Sequence, residues 1–357
     1  MDSVGWTWGR STAICIYYAT ALDQRSRRTR RYYLSFFEIA SVLAVELRHL
    51  TSLIAIADNG SFSAAARAIG TVQSNVSAHI SRLEKELGVT LVERHNGQLT
   101  EEGTRVVERV RRVIHELEDI AADVHSTDLI IEGDTRLGCI GTTARWLMPR
   151  LLLALIKAHS NVHAIVYEGS TSSLVPRVLS GDLDCAIIHF PVEQPELIIE
   201  PLFAEDLVLL VHSKHEWASR KSMSIAELTQ RPILLPPRNT SLRRILDRAA
   251  GSQRIAFQPQ AEIDGVRLLT SLAFEGFGPA VVPATAIAGW LKGEFVRVPI
   301  PELPRRLVCW ATRRRPLPNR PTRATFEVAK IVIGKTGSRQ PGVHTDPAAL
   351  RSSRSNL

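Results

Sequence analysis

The sequence predicts an α+β winged helix-turn-helix at its N-terminal end, then a long linker helix, then an α/β region. Three observations predict it. Two helical patterns flank Gly70, apolar residues recur in a heptad-like way over 106–124, and strands alternate with helices from Gly133 onward. In the segment 45–60, Leu47, Leu50, Leu53, Ile54 and Ala57 share one helical face, and Asn59-Gly60 stops the helix. Ser61 to Ile69 forms a second helix with a small apolar side at Ala65-Ala66, and Gly70 ends it because glycine turns there without a Cβ penalty. Thr71 offers a hydroxyl cap for a third helix. In that helix Val76, Ile80, Leu83 and Leu87 make a buried stripe, leaving Gln73, Ser74, Ser77, Ala78 and His79 to face outward. Residues 88–103 read as a β-ribbon: Leu91-Val92, a turn at Asn96-Gly97, then Leu99. This is the plan of a winged helix-turn-helix whose last helix fits a DNA major groove.

Thr100 caps the next helix, with Glu101 and Glu102 placed favourably against its dipole. Val106, Val110, Val113, Leu117, Ile120 and Val124 follow at alternating spacings of four and three, a seam that predicts pairing with a second copy of the helix. A homodimer or homotetramer is therefore expected. From Gly133, strands at 135–142, 163–169 and 183–190 alternate with helices beginning at Leu147-Met148-Pro149 and at 172–182, and further strands are read at 206–213, 231–237, 278–284 and 305–312. Such alternation predicts a parallel sheet with helices on both faces. Ligands in such sheets bind beyond the carboxyl ends of strands, near helix N-termini. Three loops qualify: Thr142-Thr143, Ser170-Thr171 and Arg238-Asn239-Thr240. His189 sits where a hinge between lobes is expected.

A net charge of +8 invites a nucleic-acid argument, but the charge is in the wrong place. Residues 45–128 hold nine basic against thirteen acidic side chains, whereas 305–357 hold twelve against two. DNA contact must rest on local placement of Arg48, Arg67, Arg82, Lys85 and Arg94. The four cysteines, Cys15, Cys139, Cys185 and Cys309, are widely spaced, so no metal-ligand pattern arises, and Cys139, Cys185 and Cys309 lie in apolar runs that predict burial. Ser11 to Leu22 is apolar but too short to span a bilayer, and its basic run follows rather than precedes it, unlike a secretory signal. Residues 1–44 read as a disordered extension, or as lying upstream of a natural start near Val45. A cytoplasmic location without membrane attachment is expected.

The blocks ELRHL, GSFSAAA, QSNVSAHISRLEKELG and LVER…LTEEG resemble, in order, the N-terminal domain of the LysR-type transcriptional regulators. LMPRLLLALIKAHSNV, LSGDLDCAII and FEGFGPAVVP resemble the effector-binding domain of that family. The resemblance implies a two-lobed domain of the type-2 periplasmic-binding-protein kind at 134–335, with lobe one at 134–190 plus 297–335 and lobe two at 191–296. It places the DNA-binding domain at 45–103, a linker at 104–128 and a disordered basic tail at 336–357. The implied function is a sequence-specific transcription regulator. It would bind a double-stranded operator and a small, often anionic effector, with RNA polymerase a further partner. No cofactor or metal is implied.

DNA contacts are expected from Ser63, Thr71, Gln73, Ser74, Ser77, His79, Arg82 and Arg94. Gln73 suits bidentate reading of adenine, and Arg94 suits a phosphate. His79 stands where the family often carries Gln. Effector contacts are expected from Thr142, Thr143, Ser170, Thr171, His189, Arg238, Asn239 and Thr240. A solute-binding or transport component is the alternative reading of the two-lobed fold. An enzyme is disfavoured, because no phosphate loop, metal cluster or triad spacing is present, and Gly138-Cys139-Ile140-Gly141 has the wrong spacing for a dinucleotide turn.

Overall fold

The computed structural model describes residues 45–125, 130–346 and 348–350. The expectations for residues 1–44, 126–129 and 351–357 lie outside them. The chain divides into two compact units that change over at Arg111–Arg112.

In the first unit, α1 (Leu47–Asn59), α2 (Phe62–Ala68) and α3 (Gln73–Leu87) pack around Leu53, Ile56, Ala65, Val76, Ile80 and Leu83. Ser61 caps α2 by accepting the Ala64 N–H. The predicted Thr71 cap is not made. Val72 holds the N-cap position, and Thr71 Oγ1 accepts from Asn75 Nδ2 instead. The wing is less than a ribbon. One bridge joins Val92 to Leu99, and Gly97 takes the left-handed φ of 73° that the turn requires. Glu84 anchors it, its Oε1 accepting from the backbone of Leu91 and Val92.

The long helix α4 (Glu101–His125) crosses the change-over, and Thr100 caps it. Its seam does not stay open along its length. Val107 joins the first unit's core with Val106 against it, and Val110 is buried. Only Val113 (48% exposed), Leu117 (43%), Ile120 (61%) and Val124 (76%) remain uncovered. Beyond Arg112 the opposite face of α4 is tied to the second unit by polar groups. His115 Nε2 lies 2.5 Å from Asp184 Oδ1, Arg112 donates to Ser180 O, and Asn319 Nδ2 donates to Asp119.

The second unit holds two sheets. The first is six-stranded, in the order β11-β4-β10-β3-β1-β2. Its strands are β1 (Gly133–Ile140), β2 (Val162–Gly169), β3 (Cys185–His189), β4 (Leu197–Glu205), β10 (Arg306–Arg313) and β11 (Val343–His344). The second is five-stranded, in the order β7-β6-β8-β5-β9. It comprises β5 (Leu207–His212), β6 (Ile233–Leu235), β7 (Pro259–Glu262), β8 (Ala280–Pro283) and β9 (Phe295–Pro299).

Both sheets are mixed rather than parallel: β1 runs parallel to β2 and β3, but β10 is antiparallel to β3 and β4. The lobe boundaries move accordingly. β4 belongs to the first sheet and β9 to the second, so the chain crosses at Asp206 and again between Pro299 and Arg306. His189 is therefore not at the crossover. Residues 336–346 are also not a structureless tail, since β11 pairs with β4. No helix among the described residues is long and apolar enough to cross a membrane.

Candidate functional site

Two regions gather polar side chains for recognition. The first is the outer face of α3. Val76, Ile80 and Leu83 are buried, which fixes the helix's rotation and leaves Gln73, Ser74 and Arg82 exposed. Ser63 Oγ donates to Gln73 Oε1 across the turn, holding that amide at the helix start. Arg94 is more constrained than a free phosphate anchor. It donates to Ser77 Oγ at 3.2 Å, Ser81 Oγ at 3.1 Å and Glu84 Oε2 at 2.7 Å, which ties the wing to α3.

His79 is half-buried and tied to a second helix. Its Nδ1 lies 2.8 Å from Ser52 Oγ on α1, and its ring packs 5.3 Å from that of the buried His49. Position 79 follows Val76 by three, so it falls on the shoulder of the buried stripe and turns inward. Burial first, then the charges of His49 and Arg48, push its pKa below the ordinary histidine value.

The second region is a cleft of about 620 Å³ between the two sheets of the second unit. Four helices begin at its walls: α5 (Gly141–Ala158), α6 (Thr171–Ser180) and, beyond the single-turn α7 (Ile225–Leu228), α8 (Ser241–Ser252) and α9 (Val266–Phe274). Each presents free backbone N–H groups and the positive end of its dipole. Helix α5 starts directly after β1, six residues before the predicted start, and runs through Pro149. Thr142 and Thr143 therefore occupy its first turn rather than a loop.

Of the predicted effector residues, the structure brings Thr142, Ser170, Thr171, His189 and Thr240 to the cleft. Ser170 and Thr240 are also caps, accepting from Ser173 N and Arg243 N. Thr171 Oγ1 accepts from His189 N. Thr142 Oγ1 is buried without a hydrogen-bond partner. Three predicted residues are not brought there. Thr143, one position on, rotates into the core and is fully buried, while Arg238 and Asn239 are exposed and do not line the cleft.

The sequence reading missed Arg145, Glu168, Asp264, Arg267, Ser271 and Arg306, all of which line the cleft. Glu168 on β2 and Arg267 on α9 form an ion pair across it. Arg306 is almost wholly buried at its floor. Its Nη2 donates to His189 Nδ1 at 2.7 Å and stands 3.5 Å from Glu205 Oε1. Burial and then the Arg306 charge hold the His189 pKa well below its ordinary value. Only the helix starts at Ser241 and Arg267 carried any local signal. Arg306 opens a strand, and nothing near it in sequence points to a cleft. The described cysteines do not line the cleft: Cys139, Cys185 and Cys309 are buried, and burial raises the pKa of the Cys139 and Cys185 thiols.

Comparison with known proteins agrees with both regions. Residues 47–104 match the model of the bacterial regulatory helix-turn-helix protein, lysR family, and residues 131–331 match the LysR substrate binding domain. The chain is 31% identical over 246 residues to a probable hydrogen peroxide-inducible genes activator of Streptomyces viridosporus, covering 68% of this chain and 78% of that protein. It is 29% identical over 251 residues to the hydrogen peroxide-inducible genes activator of Dickeya chrysanthemi, covering 68% and 80%. Among solved structures, the fold is similar to CbnR complexed with its target DNA, with a TM-score of 0.63, 21% identity and coverage of 80% and 99%. It is also similar to a full-length OxyR cysteine-to-aspartate variant from Pseudomonas aeruginosa, with a TM-score of 0.61, 23% identity and coverage of 81% and 97%.

Proposed function

Because this chain belongs to the LysR family of DNA-binding transcription regulators with an effector-binding domain, we propose specific residues for its two binding events. Gln73, Ser74 and Arg82 read or grip the operator from α3. Ser77 and Arg94 hold the wing against that helix, and Ser63 and Thr71 order the turn before it. The observation carrying this reading is the burial of Val76, Ile80 and Leu83, which leaves one polar face of α3 for the major groove. The exposed Val113, Leu117, Ile120 and Val124 pair two copies, as dimeric readers of paired half-sites require.

The effector is a small molecule held in the cleft by Thr142, Ser170, Thr171, His189 and Thr240, with Arg145, Arg267 and Arg306 supplying positive charge. Four converging helix N-termini favour an anionic group. Its cleft volume fits a ligand of metabolite size. The protein works in the cytoplasm and is not an enzyme. Thiol oxidation is not its trigger among the described cysteines, since an oxidisable thiol needs exposure and a low pKa.

The test is selection of duplexes from a random library by the full-length protein. Enrichment of a palindromic site, lost with Gln73→Ala, is expected. Enrichment of no site by the wild-type protein would remove the operator-reading assignment.

A further inference from the structure

A carboxylate already sits in the cleft, and it belongs to the chain. Glu168 projects from β2 of the first sheet, and Arg267 from the first turn of α9, which Leu269 and Ala273 root in the core of the second sheet. Their ion pair therefore ties one half of the second unit to the other. Both side chains stay open to solvent, Glu168 at 45% and Arg267 at 71%, and both line the cleft, so an entering molecule can reach them. The Glu168 carboxylate lies over the start of α5. A Cβ on residue 141 would stand 2.7 Å from its Oε1, and the glycine found there leaves it room. The other two cleft arginines are engaged differently. Arg306 stands against the buried Glu205, and the Arg145 guanidinium lies 5.5 Å from the centre of the Trp290 ring. Of the three, Arg267 is the one paired with an accessible carboxylate, which a carboxylate from outside can replace like for like. The planar guanidinium fork favours a carboxylate over a neutral group. The displaced side chain returns to water, so the exchange costs little. The apolar lining of Ile140, Leu242, Val266, Leu268 and Ala286 offers burial to the rest of such a molecule.

We propose that Glu168 is an internal stand-in for the effector, and that the effector is a small carboxylate on an apolar body that displaces Glu168 from Arg267. The proposal rests on the cleft being the effector site. Glu168 sets specificity in two ways. A neutral molecule cannot compete with it for the guanidinium, and a carboxylate must outcompete the ion pair before it binds. Binding also exchanges a tie between β2 and α9 for a contact with the ligand. The bound and unbound states then differ in what joins the two halves of the unit, which is the differential contact a ligand-driven shift requires.

The experiment is calorimetric titration of the full-length protein with butyrate and with its neutral isostere butyramide. The wild type should bind butyrate in preference to butyramide. Glu168→Gln removes the competitor and should tighten butyrate binding about two- to fivefold, the range expected for an exposed ion pair. Asp264→Asn removes the same charge from the cleft lining without touching the pair, and should change binding less. Arg267→Gln should abolish the preference for butyrate. All three replaced side chains are exposed, so each variant should fold. Unchanged or weaker binding in Glu168→Gln, an equal gain in Asp264→Asn, or butyramide bound as tightly as butyrate overturns the proposal and leaves the cleft reading standing. So does failure of both the wild type and Glu168→Gln to bind butyrate. Butyrate bound equally by the wild type, Arg267→Gln and Ser271→Trp, whose indole would fill the cleft, overturns both.

Discussion

Replacing Val113 and Leu117 by Asp together should convert the protein to a monomer, and the structure sets the size of the effect. Burying a whole Val or Leu side chain is worth roughly 1.5–3 kcal/mol. Here Val113 is 48% and Leu117 43% exposed before pairing, so each has about half that left to gain, or about 1 kcal/mol. Ile120 and Val124, at 61% and 76%, have somewhat more. Two copies of four residues then supply about 10 kcal/mol, against association costs of about 4–15 kcal/mol, so the seam has little surplus. Removing Val113 and Leu117 from both copies withdraws about 4 kcal/mol, close to a thousandfold in dissociation constant. Facing carboxylates add repulsion and desolvation. Sedimentation velocity at micromolar protein should show a monomer whose helical circular dichroism is intact. A dimer of unchanged affinity would refute the seam as the main contact between copies.

Gln73→Ala should lose about 1–3 kcal/mol of discrimination between operator and scrambled duplex, read by fluorescence anisotropy at fixed salt. Equal discrimination would mean that Gln73 does not read a base. Thr142→Val keeps the volume and removes the unpartnered hydroxyl. It should leave operator affinity unchanged while weakening the inducer dose response, and an unaltered response would move the effector away from the start of α5. His115 gives a pH signature. Burial opposes its charge, but the Asp184 hydrogen bond and the Asp184 and Asp119 charges outweigh that and raise its pKa, with Arg136 pulling the other way. A raised folded value means the stabilisation is fully present below about pH 6.5 and is lost as pH climbs through the folded pKa. The melting temperature of the wild type should therefore fall toward that of His115→Gln as pH rises above that point. A constant gap would show that the imidazole's charge contributes nothing.

What the chain's local pattern could reveal was whatever depends on neighbours within a turn or two. Val76, Ile80 and Leu83 announce a buried stripe, and Ser170 and Thr240 announce helix starts. Strand β4 was illegible because Glu200 and Pro201 interrupt its apolar run. Pro201 is tolerated where the β10–β4 register shifts at Val308–Cys309. The tie of His79 to α1 was illegible because a residue on the edge of a stripe can face either way, and its partner Ser52 lies on a different helix. Arg306 reaches the cleft through a chain crossover that leaves no periodic trace. The polar ties of His115 and Asp119 were hidden for the opposite reason. On α4 beyond Arg112 it is the polar face that docks and the apolar Val113, Leu117, Ile120 and Val124 that stay open, the reverse of the usual rule for a surface helix.

The Glu205–Arg306 pair restricts how this protein can change over generations. Each side chain is almost wholly buried, so any single replacement strands the other charge in a dry interior, at about 3–5 kcal/mol, a large share of a domain's whole stability. Replacing both by apolar residues of similar volume need cost little. The two codons are thus separated from their neutral alternatives by an unstable intermediate, and they will tend to be inherited as one character. Lineages that cross this barrier together would lose the guanidinium that stands beside His189 at the floor of the cleft. A swap invisible to stability would then change the charge of that floor.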